Sequence, residues 1–136
     1  MVVHVFLIRN DKLLLLRIKD INNEYFNHYS VISDYLERNE TINQAAVRSI
    51  KKIVGIDIEP ESLSMKGLIR RKNAEENNIE FFFECSKWSG KIINNNPEKY
   101  KNFRWVSIND LPISTIPYIK TAFENFGNDF EFYDID

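Results

Sequence analysis

The chain has 136 residues, 43% of them hydrophobic and 28% charged, enough for one compact domain over residues 1–136 that buries roughly two thirds of its unfolded surface. Eighteen Lys and Arg against twenty Asp and Glu leave a net charge of -2, which excludes a binder of nonspecific nucleic acid built on a basic field. Cys85 is the only cysteine, so an intrachain disulfide is excluded, and no segment approaches the roughly 18 apolar residues of a membrane span; the expectation is a cytoplasmic protein with no membrane partner.

Residues 2–8 and 13–18 are apolar runs on either side of Asn10 and Asp11, which predicts a hairpin of two strands buried on both faces. His4 lies in the first run, where a hydrogen-bonded core histidine is expected. Residues 19–28 have a loop composition, with Tyr25 and Phe26 available to stack on a ligand, and a short apolar step follows at residues 29–32. Thr41 and Gln44 form a capping box, and Gly55 stands where a left-handed residue ends a helix, so a helix is predicted over residues 41–54. Ile42, Ala45, Ala46, Ile50, Ile53 and Val54 place an apolar stripe on the core, with Arg48, Lys51 and Lys52 towards solvent or a cleft.

Strands are predicted over residues 63–71 and 79–88, separated by a charged loop, and the second carries Phe81, Phe82 and Phe83, which require cover on both faces. A further strand is predicted at residues 103–108, with Trp105 in the core, and a last helix at residues 116–126. The alternation of elements predicts an α/β or α+β layered fold around a mixed sheet. The tail Phe130 to Tyr133, FEFY, is a docking surface if exposed.

Residues 37–56 read ERNETINQAAVRSIKKIVGI. Glu37, Glu40, Thr41, Arg48 and Gly55 keep the spacing of a known signature. Beyond it come Phe81-Phe82-Phe83, Trp88-Ser89-Gly90, Pro97-Glu98-Lys99, Trp105-Val106, and Leu111-Pro112 leading to Ile116-Pro117-Tyr118, in matching order. In this the chain resembles the Nudix hydrolases over nearly its whole length. The resemblance implies an α/β/α sandwich with a central mixed sheet, whose signature loop and helix line a substrate cleft. It also implies cleavage of nucleoside diphosphates linked to another moiety, with magnesium or manganese as cofactor.

The family's arginine is followed by three metal-binding glutamates, and here those places hold Ser49, Lys52 and Ile53. None is a good magnesium ligand. An ammonium 4 Å from a cation costs roughly 4 kcal/mol per unit charge at an intermediate dielectric, so Lys52 opposes a divalent ion. Asp34 stands where the family has glycine, and it enters a left-handed conformation only at a cost.

Two residual acids, Glu37 and Glu40, are candidate cation ligands or catalytic groups; the competing expectation is that Glu40 favours the helix dipole and pairs with Arg48. Glu75, Glu76 and Glu80 are candidates for a replacement base, or simply a solvated acidic loop. Arg48, Lys52 and Arg70 are candidates to hold a phosphate, and alternation along the strand lets only one of Arg70 and Arg71 face the cleft.

Three functions are consistent with these residues. The first is an impaired hydrolase, and the second a module that binds a nucleotide or other phosphate-containing small molecule without chemistry. The third is a partner-binding protein. Homodimerisation is expected by the same resemblance.

Overall fold

The computed structural model describes residues 1–72 and 77–127, together with the backbone of residues 131–135. Asn10 and Asp11 both take left-handed conformations, with φ of 54° and 59°, as a two-residue turn matched to strand twist requires. Strand β1 (Val2–Arg9) therefore folds back on β2 (Lys12–Ile18), with Ile8 opposite Leu13. The apolar step that follows divides into β3 (Tyr29–Ser30), which pairs with β2, and β4 (Ile32–Tyr35), which pairs antiparallel with β1.

Helix α1 (Ile42–Val54) starts and stops where local chemistry dictates. Thr41 Oγ1 accepts from the Gln44 N–H at 3.1 Å, and Gln44 Oε1 accepts from the Thr41 N–H at 2.9 Å, completing the capping box. At the other end Gly55 takes φ 75° and donates to the Lys51 carbonyl. Two more carbonyls that the helix leaves open, those of Ile53 and Val54, accept from the N–H groups of Asn95 and Ile93. The chain after Trp88 is thereby tied to the helix end.

The remaining strands are β5 (Ser64–Lys72), β6 (Asn77–Cys85), β7 (Tyr100–Ser107) and β8 (Glu131–Ile135). The sheet runs β3-β2-β1-β6-β5-β8, with β4 on β1 and β7 on β2. Its pairings are mixed: β1 and β6 are parallel, as are β5 and β8, and the others are antiparallel. Helix α2 (Pro117–Asn125) covers one face, where Phe123 meets Phe6 edge-on at 5.0 Å. The opposite face of β1 carries Val3, Val5 and Leu7, all buried, and α1 packs on β1 and β4. The expected α/β/α sandwich around a mixed sheet is therefore present.

Several expectations change in detail. The strand expected over 79–88 ends at Cys85, which leaves Trp88 outside it. Trp105 is not a core residue; it is 37% exposed and stacks on Trp88 with ring centroids 6.3 Å apart. The tail expected as a docking surface contributes β8, whose backbone extends the sheet beside β5; Phe130 lies outside the described residues. Asp34 is part of extended β4 and does not take the left-handed conformation that would be costly for it. A left-handed residue instead precedes the helix at Asn39, φ 64°. Cys85 is buried, and burial raises its thiol pKa.

Candidate functional site

Arg48 lies on the exposed side of α1 and gathers the acids of the preceding loop. Its Nε and Nη2 donate to the two Glu40 oxygens at 2.7 and 2.9 Å, and its Nη1 donates to Asp34 Oδ2 at 3.1 Å. Nη2 also donates to the Tyr35 carbonyl at 2.9 Å, while Glu37 Oε1 lies 3.6 Å from Nη1. The guanidinium holds the Glu40 carboxyl below its ordinary range, and the carboxylates in turn raise Arg48. Glu40 thus pairs with Arg48, as the helix-end expectation required.

One turn further along, Lys52 Nζ donates to Asp34 Oδ2 at 3.0 Å. Burial would raise Asp34, but the donors Lys52, the Tyr35 N–H and Arg48 outweigh it and hold the carboxyl below its ordinary value. Lys52 and Arg48, both expected to meet phosphate, are therefore already opposed by carboxylates.

Of the three positions where the family keeps glutamates, only Lys52 reaches solvent. Ser49 and Ile53 are 0% and 1% exposed, Ile53 on the core-facing stripe where it was expected. Ser49 Oγ donates to the Ala45 carbonyl at 2.6 Å, which satisfies a buried hydroxyl within the helix. A divalent cation needs several oxygen ligands at short range. Here the helix offers one hydroxyl turned inward, an ammonium and a hydrocarbon, while Glu40 and Asp34 are hydrogen-bonded to Arg48 and only Glu37 stays exposed. These residues do not fit the metal.

A different group of side chains lines an open cavity of about 200 Å³ between β1, β4, the loop after β2 and the start of α2. His4, Ser33, Asp34, Arg71, Glu80, Tyr25, Tyr118 and Lys99 all contribute to it. Glu80 was expected in or beside an acidic loop; it lies within β6 and is 1% exposed. Its Oε1 accepts from His4 Nε2 at 2.7 Å and its Oε2 from Arg71 Nε at 2.6 Å. Burial would raise Glu80, but His4 and Arg71 outweigh it and hold the carboxyl down to about 2. Arg71 also lies 4.3 Å over the Tyr118 ring.

His4 is the satisfied core histidine that was expected, with its other ring nitrogen 2.6 Å from Ser33 Oγ. Of the two adjacent arginines the cavity takes Arg71; Arg70, the expected phosphate-holding residue, is not among its lining residues. Tyr25 lines the cavity, as expected of an aromatic in that loop, whereas Phe26 does not. Glu75 and Glu76 lie outside the described residues. Sequence reasoning missed Ser33, Tyr118 and Lys99 as cavity residues. The one available signal was that His4 and Glu80 are polar groups inside otherwise apolar strands.

A mixed sheet between two helical layers, with an arginine-centred loop and helix beside an open cavity, is an α/β/α sandwich of the Nudix type. The chain belongs to the Nudix family, since the NUDIX domain model matches residues 1–126. Among solved structures it is similar to a MutT NUDIX hydrolase from Burkholderia pseudomallei, with a TM-score of 0.83 and 17% identity over 93% of this chain and 96% of that one. It is also similar to a MutT protein from Methanosarcina mazei Go1, with a TM-score of 0.77 and 16% identity over 92% and 90% of the two chains. An ADP-ribose pyrophosphatase from Streptococcus suis 89-1591 matches with a TM-score of 0.67 and 15% identity over 98% and 96%. No curated protein matches the sequence. Among the described residues, no helix is long and apolar enough to cross a membrane.

Proposed function

We propose that this Nudix protein binds a nucleotide or other phosphate-containing small molecule and has lost the family's metal-dependent hydrolysis. The observation that carries the proposal is the Lys52–Asp34 contact at 3.0 Å beside Ser49 and Ile53, both withdrawn into the core. A cation that the family takes from solution is replaced by one built into the chain. An ammonium neutralises phosphate charge, but it neither activates water nor bridges two oxygens.

The cavity supports the binding half of the proposal. Tyr25 and Tyr118, with ring centroids 6.3 Å apart, offer aromatic surface to a ligand, and Arg71 and Lys99 offer positive charge. Asp34 lines the cavity and also accepts from Lys52, so Lys52 can exchange this carboxylate for a ligand phosphate.

The test is chromatographic turnover of nucleoside diphosphate derivatives and triphosphates with magnesium, manganese or chelator, run beside calorimetric titration of the same panel. Binding without metal-dependent product is expected, with affinity weakened about tenfold by Lys99→Ala or Lys52→Ala, as for loss of one charge-assisted hydrogen bond. Metal-dependent product overturns the loss of chemistry, and absence of binding by every compound overturns the ligand.

A further inference from the structure

Three cavity residues that the family's metal chemistry does not require form one hydrogen-bonded line. Ser33 and His4 face each other across the antiparallel pair of β4 and β1, which sets Ser33 Oγ 2.6 Å from His4 Nδ1. Beyond the ring, His4 Nε2–H donates to Glu80 Oε1 at 2.7 Å. The second Glu80 oxygen accepts from Arg71 Nε, so the carboxylate is held at both ends. Serine is half-buried at the cavity wall, while imidazole and carboxylate are 2% and 1% exposed behind it. The ring cannot turn freely, because it stacks on Phe82 at 4.6 Å and meets Tyr118 edge-on at 6.0 Å.

Nucleophile, base and orienting carboxylate in hydrogen-bond contact are the parts that activate a serine. With Nε2–H donated to Glu80, Nδ1 carries the lone pair that faces Ser33. The Ser33 hydroxyl donates to that nitrogen across the 2.6 Å contact, and its hydrogen has an alternative acceptor in the Val31 carbonyl at 3.0 Å. We propose that Ser33 is a nucleophile activated by His4, and that this cavity hydrolyses carboxylic esters of compact acyl groups without a metal ion.

In the first step the Ser33 oxygen bonds to the acyl carbon while its proton passes to His4 Nδ1. The ester C–O bond then breaks, and the departing alkoxide takes that proton from the imidazolium and leaves as an alcohol. Water, losing a proton to the same nitrogen, adds to the acyl-serine. The carboxylic acid departs as Ser33 regains its hydrogen from His4. Arg71, which lines the same cavity and whose Nη1 donates to the Tyr25 hydroxyl at 3.5 Å, supplies donors for the oxyanion. Ile18, Ile116 and Tyr25 give the acyl group an apolar wall, and about 200 Å³ limits it to a small one.

The activity goes beyond the phosphate-binding proposal and stands or falls separately. Esterase activity needs no nucleotide affinity, and nucleotide affinity needs no serine nucleophile.

The experiment treats the full chain, in chelator, with a fluorophosphonate probe followed by peptide mapping, and in parallel with p-nitrophenyl acetate and butyrate. One adduct on Ser33 is expected. Ser33→Ala is expected to lower kcat/KM by at least about a hundredfold with the circular dichroism unchanged, the scale on which loss of a nucleophile or its base acts. Ser33→Cys keeps a nucleophile beside His4 and should be alkylated faster by iodoacetamide than Cys85. Glu80→Gln, which alters a positioning residue, should lower kcat while leaving KM within about twofold, and a merely structural role would not produce that split. The proposal is overturned if folded protein carries no adduct on Ser33, or if hydrolysis survives Ser33→Ala.

Discussion

Two charge networks lie a short distance apart in this molecule and are built in opposite ways. Around Arg48, one guanidinium serves Asp34, Glu37 and Glu40 at the half-exposed start of the helix, with Lys52 closing the set. Around Glu80, one carboxylate serves His4 and Arg71 in a site where it is 1% exposed. Pairs that reach solvent, as Glu37 and Lys52 do here, are screened and each adds little to stability; a buried carboxylate with two donors is costly to disturb from either side. The exposed edge of the first network, at Glu37 and Lys52, can therefore be rewired by substitution with little loss of stability. The second is fixed, because none of its members can change alone.

Ile53→Glu is the sharpest break in this contrast. It places a carboxylate where the family has one but where this chain has core, and it should cost about 4 kcal/mol or more in urea unfolding. If the backbone keeps the family's cleft, adding Ser49→Glu and Lys52→Glu should let magnesium restore stability and metal binding.

Glu80→Ala should cost about 3–5 kcal/mol by the same measurement, because His4 and Arg71 lose a shared partner. Acid titration probes that pair without mutation. Glu80 is held at about 2 in the folded protein against an ordinary 4.5, so its stabilisation is complete above pH 4.5 and disappears as the pH falls towards 2. At roughly 1.4 kcal/mol per unit of pKa the loss is about 3 kcal/mol.

Gly55→Ala should cost about 1–2 kcal/mol. The new methyl must accept φ 75° and would lie 3.0 Å from Ile93 Cγ1. Lys52→Ala should change stability by less than about 1 kcal/mol, since its side chain is 55% exposed. A larger loss would mean that the two networks are not the opposites described.

What the sequence made legible is local. Thr41, Gln44 and Gly55 announce the helix because capping chemistry acts over three or four residues, and Asn10-Asp11 announces the hairpin for the same reason. The Arg48–Glu40 pair spans eight residues and was readable from the helix start. The cavity was not readable, because His4 and Glu80 are 76 residues apart and meet only through the parallel register of β1 and β6. The direction of Ser49 was not readable for a different reason. A hydroxyl can bond to the carbonyl four residues back and pass into the core, so its polarity says nothing about which way it faces. Arg71 could be told from Arg70 only once the sheet fixed which strand face was inward.

The position of β1 bears on the order in which the chain can fold as it is synthesised. Its hairpin with β2 and its ladder with β4 form from neighbouring sequence, but its other edge waits for Glu80 to Cys85 to be made. Until then an apolar strand stands with one side open to any passing edge. The Glu80 carboxylate arrives on the strand that closes that gap, so His4 gains its partner in the same event that completes the centre of the sheet. Substitutions that weaken this meeting should therefore appear first as poor yield during expression, before any defect is measurable in the purified protein.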